Sequence, residues 1–319
     1  MSFLSSIFGV GVWARNALYD RGIARARTVQ GPVISVGNLS VGGSGKTPFV
    51  LVLGELLKAR GVDFDILSRG YGRRTHGVAR VDPGGLPHDF GDEPLLLARR
   101  LGVPVIVGED RYQAGLFAEE SLGPQLHVLD DGFQHRALAR DFDIVLVTPE
   151  DARDRLLPAG RLREPLASLS RADAVVLASG ASPELFSVNG KLVWRARRGI
   201  SLPNVPARPV VFCGIARPQN FLLQLRTAGV EPAGQAFFRD HHTYSEQDIQ
   251  DLLKLRQQSE AESFVTTEKD AINLGGYLDA LKPLIVIQVK MELVDAANAL
   301  DTMLRIISER RAGREKIGA

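Results

Sequence analysis

Residues 35–48 read Ser35-Val36-Gly37-Asn38-Leu39-Ser40-Val41-Gly42-Gly43-Ser44-Gly45-Lys46-Thr47-Pro48. A β-branched run over 32–36 leads into this stretch, and residues 49–59 follow with Phe49, Val52, Leu53, Leu56 and Leu57 at helical spacing. Strand, glycine-rich loop and helix in that order suit a phosphate site, because small residues let backbone N–H groups converge on phosphate oxygens at a helix N-terminus. The Gly45-Lys46-Thr47 ending is that of a Walker A loop. Ser40, Val41, Gly42, Gly43, Ser44, Gly45, Lys46 and Thr47 therefore form the expected nucleotide loop, with Lys46 reaching the β and γ phosphates and the Thr47 hydroxyl facing Mg²⁺. Pro48 falls in the first helical turn, where its missing N–H costs no intrahelical bond. The strict pattern wants glycine where Ser40 stands, so a non-standard first turn is expected.

Outward from this loop, short apolar runs recur at 64–67, 104–107, 126–129, 144–147 and 174–177, as in strands buried on both faces of a mostly parallel sheet. Strand character returns at 210–213, 263–266 and 284–289, with a helix over 219–228. The expected fold class is α/β: a P-loop NTPase-like, mostly parallel sheet domain plus a second, smaller α/β domain, joined by a β-hairpin linker. The expected division is an amphipathic helix over 1–27, the P-loop core over 28–185, the linker over 186–208 and the second α/β domain over 209–319. The linker rests on the turn signal Val188-Asn189-Gly190-Lys191 and on Pro203, Pro206 and Pro209, which interrupt any helical period.

A length of 319 residues accommodates two such domains, and 45% hydrophobic with 24% charged residues excludes a disordered chain. A net charge of +2 gives no broad electrostatic footprint, so nucleic acid is not expected as a partner. The single cysteine, Cys213, cannot form an intramolecular disulfide, which fits the cytoplasm. Residues 1–14 carry no charge, are too short to span a bilayer, and lack the basic start of a secretory signal. As a helix, this segment gathers Phe3, Leu4, Ile7, Phe8, Ala14 and Leu18 on one face. Trp13 is placed for an interface, and Arg15, Arg21, Arg25 and Arg27 stand against the lone acid Asp20. Such a helix either lies on a membrane surface or packs on the protein's own core.

Three further places carry candidate chemistry. The apolar run ending in Asp130-Asp131 has the form of a Walker B strand, whose carboxylate helps hold Mg²⁺; a turn or helix cap would look the same. Asp92, in Asp92-Glu93-Pro94, is either the N-cap of the following helix or a base near an attacking hydroxyl. Asp240-His241-His242 lies in a loop before a helix opened by Ser245, with Asp248 completing a capping box. Arg111, Arg161, Arg163 and Glu164 are local charges in loop-like sequence, solvated or set to grip a phosphorylated substrate.

The residue pattern also resembles a known family. Residues 35–48, Ser68-Arg69-Gly70-Tyr71-Gly72-Arg73, Gly91-Asp92-Glu93-Pro94, Asp130-Asp131-Gly132-Phe133-Gln134-His135 and Asp240-His241 are similar in content and order to the tetraacyldisaccharide 4'-kinases, and Thr266-Thr267-Glu268-Lys269-Asp270 extends the likeness. The resemblance implies ATP as donor, Mg²⁺ as cofactor, and transfer of the γ-phosphoryl group to the 4'-hydroxyl of tetraacyldisaccharide 1-phosphate, giving lipid IVA in lipid A biosynthesis. It implies Asp92 and His241 as a catalytic pair, and Thr47, Glu93 and Asp131 at the metal with Asp130 behind them. Arg111, His135, Arg163 and Glu164 fall near the sugar and phosphate sites, and a serine at position 40 is usual. A membrane-held substrate favours the interfacial reading of residues 1–27, at the cytoplasmic face of the inner membrane in monotopic or peripheral association. Two other readings stay open: a P-loop kinase for another sugar or small alcohol, and a nucleotide-switch binding module. Against a guanine-specific switch, the chain has no N-K-x-D sequence.

Overall fold

The expected strand–loop–helix start is present and is preceded by a helix. A computed structural model describes residues 3–123, 125–202 and 208–318. The N-terminal half comprises α1 (Phe3–Asp20), β1 (Val33–Asn38), α2 (Lys46–Ala59), β2 (Phe64–Ser68), β3 (Ala79–Arg80), α3 (Pro87–Phe90), α4 (Asp92–Leu101), β4 (Val105–Val107), α5 (Arg111–Leu122), β5 (Leu126–Asp130), β6 (Phe142–Val147), β7 (Ala174–Leu177) and β8 (Leu192–Ser201). The C-terminal half adds β9 (Val210–Cys213), α6 (Pro218–Thr227), β10 (Gly234–Phe237), α7 (Glu246–Gln258), β11 (Phe264–Thr267), α8 (Glu268–Leu274), β12 (Leu284–Leu293) and α9 (Ala296–Gly318). All strands join one sheet in the order β10-β9-β11-β12-β8-β7-β6-β1-β5-β2-β4-β3. The fold is thus α/β with a mostly parallel sheet; the β3–β4 and β8–β12 pairs are antiparallel.

Strands β1, β2, β5 and β6 are buried along their full lengths, which explains why they read as continuous apolar runs rather than alternating ones. Phe49 of α2 and Phe142 of β6 are essentially inaccessible, and each such side chain contributes ~1.5–3 kcal/mol on burial. Because β1, β5 and β2 are parallel neighbours, the loops at their C-terminal ends open on the same edge of the sheet, where parallel α/β sheets place their ligands.

Two expectations require correction. The turn at Asn189-Gly190 forms, but Pro183–Leu185 ahead of it is a short 3-10 turn, so among the described residues no strand pairs across that turn as a local hairpin. Instead β8 pairs parallel to β7 over residues 192–195 and antiparallel to β12 over 196–201, making the connecting ribbon from strands far apart in sequence. Pro203 and Pro206 lie outside the described residues. The second correction concerns α9, expected within the 209–319 unit. Its buried stripe Ala299, Leu300, Met303 and Ile307 joins the core formed by α2, β6 and neighbouring strands of the N-terminal half.

Candidate active site

At the C-terminal end of β1 the chain turns through residues 39–45 into α2. Gly42, Gly43 and Gly45 have φ of 70°, 64° and 87°, a region open to glycine and costly for other residues. Ser40 has no such backbone, so its position does not call for glycine and the departure from the strict pattern has no structural cost. Asn38 shapes the loop from below: its Nδ2 donates to Ser40 O and to Ser44 Oγ, both at 2.7 Å. Lys46 Nζ donates to Asn38 Oδ1 at 3.0 Å and lies 3.5 Å from Asp131.

The two acids after β5 have different surroundings. Arg163 forks onto Asp131 at 2.8 and 2.7 Å and also reaches Asn38 Oδ1. Burial pushes Asp131 up, but Lys46 and Arg163 more than offset it and hold the carboxyl far below the usual range. Asp130 is fully enclosed. Ser68 donates to its Oδ2 at 3.1 Å, and its Oδ1 has no partner. Burial, then repulsion from Glu93 and Asp131, pushes its pKa up to about 7. The Lys46 charge only partly offsets this, and the unpartnered Oδ1 is an oxygen that a divalent metal could take. Among the described residues no three His, Cys, Asp or Glu side chains converge as a cage. Mg²⁺ at a phosphate site needs only one or two carboxylates, with phosphate and water completing its shell, so Asp130, Glu93 and the Thr47 hydroxyl fit it. Asp131, which the family resemblance implies at the metal, is here paired with Arg163 and close to Lys46.

Across the cleft, Gly91 occupies the N-cap of α4 with φ 92°, so Asp92 is the first helical residue and not the cap. His241 Nδ1 lies 3.0 Å from both carboxylate oxygens of Asp92, and Asn273 Nδ2 donates to Asp92 Oδ2 at 3.0 Å. Burial raises the Asp92 pKa, yet the His241 hydrogen bond and the Lys269 charge bring it below the ordinary value. His241 shows the opposite balance: burial lowers it, and the Asp92 acceptor lifts it above the usual imidazole range. Lys269 Nζ stands 3.1 Å from His241 Nε2 and 2.9 Å from Asp240. With Lys269 donating to Nε2, the partners assign the neutral ring a proton on Nδ1, directed at Asp92. Asp131 and His241 are both non-glycine residues with positive φ, 50° and 58°, a strained backbone often retained at reacting sites.

Helix α4 meets α8 through Arg100, which bonds both Glu268 oxygens at 2.6 and 2.8 Å, bringing Asp92 beside Lys269 and Asn273. The resulting cleft holds about 620 Å³ between the nucleotide loop and the C-terminal half. Ala216 and Arg217 cover the loop so closely that a Cβ on Gly43 would meet the Arg217 side chain at 2.8 Å. Arg217 Nη2 and Arg198 Nε are buried without partners.

Of the residues singled out from sequence, the loop 41–47, Asp92, Glu93, Asp131, Arg163 and His241 line this cleft. Arg111, His135 and Glu164 do not. Arg111 bonds the carbonyls of Gly108 and Glu109, and burial with the Arg111 charge pushes His135 down to about 4. Glu164 is sealed from solvent, which removes it from contact with a substrate in this arrangement. His242 turns away to Asp248, within the Ser245 capping box. Sequence reasoning missed Lys269, Asn273, Arg198 and Arg217; only Lys269 sat in a stretch that drew notice, residues 266–270.

Residues 1–308 match the family described as tetraacyldisaccharide-1-P 4'-kinase, LpxK. The chain is 51% identical over 323 residues to the tetraacyldisaccharide 4'-kinase of Koribacter versatilis (strain Ellin345), covering 98% of this chain and 100% of that one. The enzyme of the same name from Geobacter metallireducens is 38% identical over 318 residues, covering 92% and 94%. A crystal structure of LpxK from Aquifex aeolicus, in complex with ATP, superposes with a TM-score of 0.79 at 37% identity, covering 95% of this chain and 97% of that one. Relatedness at this level extends over sequence and fold alike, and the chain belongs to the tetraacyldisaccharide 4'-kinase family.

Proposed function

We propose that this chain transfers the γ-phosphoryl group of ATP to the 4'-hydroxyl of tetraacyldisaccharide 1-phosphate, forming lipid IVA. The observation that carries this reading is the placement of the Asp92–His241 pair and of Lys46 in the lining of one cleft. Backbone N–H groups of residues 41–46 and the Lys46 ammonium hold the phosphates. Asp92 stays ionised and takes the proton as the sugar oxygen bonds to phosphorus and the bond to ADP breaks; His241 and Asn273 fix its orientation. Arg198 and Arg217, with free donors in the cleft, add positive charge beside the phosphate chain. A Mg²⁺ ion at Thr47, Glu93 and Asp130 would neutralise charge on the phosphate oxygens.

For the lipid side, α1 presents Phe3, Leu4, Ile7, Val10 and Trp13 to solvent, while its protein-facing positions include Ser5, Val12 and Asn16. Most of the large apolar side chains of this helix face outward, which supports docking of α1 on a bilayer as a peripheral contact at the cytoplasmic face of the inner membrane. No helix among the described residues is long and apolar enough to cross a membrane. The family resemblance assigns Arg111, the first residue of α5, and His135 to the substrate side, although neither lines the cleft.

Incubation with γ-labelled ATP, Mg²⁺ and the disaccharide 1-phosphate in detergent tests the reading. Label should enter the lipid with the wild-type chain and not with Asp92→Ala. Label released only as inorganic phosphate would overturn it.

A further inference from the structure

Glu164, far from touching the cleft, has no exposed side-chain surface and collects three donors. Arg15 Nη2 donates to its Oε1 at 3.0 Å, and Asn16 Nδ2 and Arg171 Nη1 donate to its Oε2 at 2.9 and 2.8 Å. Arg15 and Asn16 belong to α1, so this carboxylate is a lock between α1 and the segment 161–164. A second lock lies nearer the N-terminus, where Ser5 Oγ donates to Leu156 O and accepts from Ala159 N, both at 3.1 Å.

The same segment borders the nucleotide loop. Arg163 N donates to Leu39 O at 2.6 Å and Val41 N donates to Arg161 O at 2.8 Å, so residues 161–163 run as an edge along residues 39–41. The Arg163 side chain then reaches Asp131 and Asn38, the two residues that hold Lys46. We propose that Glu164 is a positioning residue: by fastening segment 161–164 to α1 it sets Arg163 against Asp131 and Asn38, so that the seating of α1 and the affinity of the loop for nucleotide are coupled. A carboxylate suits the place because both oxygens must accept from cationic or amide donors. Glutamine would present an amide N–H in place of one oxygen, so that either Arg15 or the Asn16–Arg171 pair would lose its acceptor. Arg15 and Asn16 do not line the cleft, and their side chains meet segment 161–164 through Glu164.

The inference rests on nucleotide occupying the loop 40–47, and its test keeps the two apart by measuring binding without lipid. Equilibrium binding of a fluorescent ATP analogue with Mg²⁺ is compared for the full chain, Arg163→Ala, Glu164→Gln and the Arg15→Ala/Asn16→Ala double variant, the last two also combined with Arg163→Ala. Glu164→Gln and the double variant should each weaken nucleotide binding about tenfold, as expected for lost charge-assisted bonds. Neither should weaken it further once Arg163 is absent, because both act through it. The double variant alters less buried positions and carries the test if Glu164→Gln fails to fold. Unchanged affinity in the double variant, or effects that simply add to that of Arg163→Ala, would overturn the coupling. Failure of the wild-type chain to bind the analogue would instead overturn the reading of the loop itself.

Discussion

Replacing Ile7 and Trp13 by serine removes the centre of the apolar face that α1 turns outward. Ile7 is 55% exposed and Trp13 65% exposed, so both are more than half free of protein contact and their loss should move the thermal midpoint little. Burying an isoleucine fully contributes ~2 kcal/mol, so the exposed half of Ile7 offers ~1 kcal/mol. A tryptophan of about 200 Å² with two-thirds of it free offers ~3 kcal/mol at 25 cal/mol per Å². Insertion at an interface is shallow, about 5–10 Å, and captures roughly half of this total, or ~2 kcal/mol. Converted, that is about a thirtyfold drop in the vesicle partition coefficient. Flotation with vesicles of an anionic and zwitterionic lipid mixture reads the coefficient directly. A partition coefficient within about twofold of wild type, at equal thermal midpoint, would refute the assignment of this face to lipid.

Asp92→Asn should lower kcat by a hundredfold or more, the usual scale of general-base loss, with the KM for ATP nearly unchanged because Asp92 lies across the cleft from the nucleotide loop; steady-state kinetics with near-normal kcat would remove it from the proton transfer. Lys46→Ala should weaken ATP binding and turnover together, and retention of either in a titration with labelled nucleotide would contradict its phosphate role. His127 is sealed between Asp65 at 2.9 Å and Glu119 at 3.3 Å. Burial lowers its pKa, but the two carboxylates raise it above the ordinary value. The stabilisation from this cluster is therefore complete below the unfolded pKa of about 6.5 and is lost as pH rises through the higher folded value. Denaturation midpoints should fall with rising pH more steeply for wild type than for His127→Gln, and parallel curves would refute that.

The nucleotide loop was legible because its determinants are local: glycines where φ is positive, a lysine and a threonine in fixed register, and a strand and a helix on either side. Asp92 and His241 are separated by 149 positions: local sequence allows Asp92 as a cap or a base and His241 as a loop residue, and nothing in the spacing joins the two. What stayed hidden depends on contacts between distant segments. The β8–β12 ribbon is antiparallel pairing across most of the C-terminal half, and no turn signal marks it. Helix α9 returns to the first core because Met303 and Ile307 find α2 and β6 there, while its sequence is equally compatible with packing on its own neighbours. The different surroundings of Asp130 and Asp131 follow from the reach of Arg163, and the burial of Glu164 from its meeting with α1. Neither is written in the local order of residues.

The most direct test is the site of phosphorylation on the product. Phosphorus NMR and tandem mass spectrometry of the lipid recovered after reaction with ATP should show one new phosphate monoester on the 4' oxygen of the distal glucosamine. A diphosphate at the anomeric position, or an unmodified lipid beside free phosphate, would contradict the account.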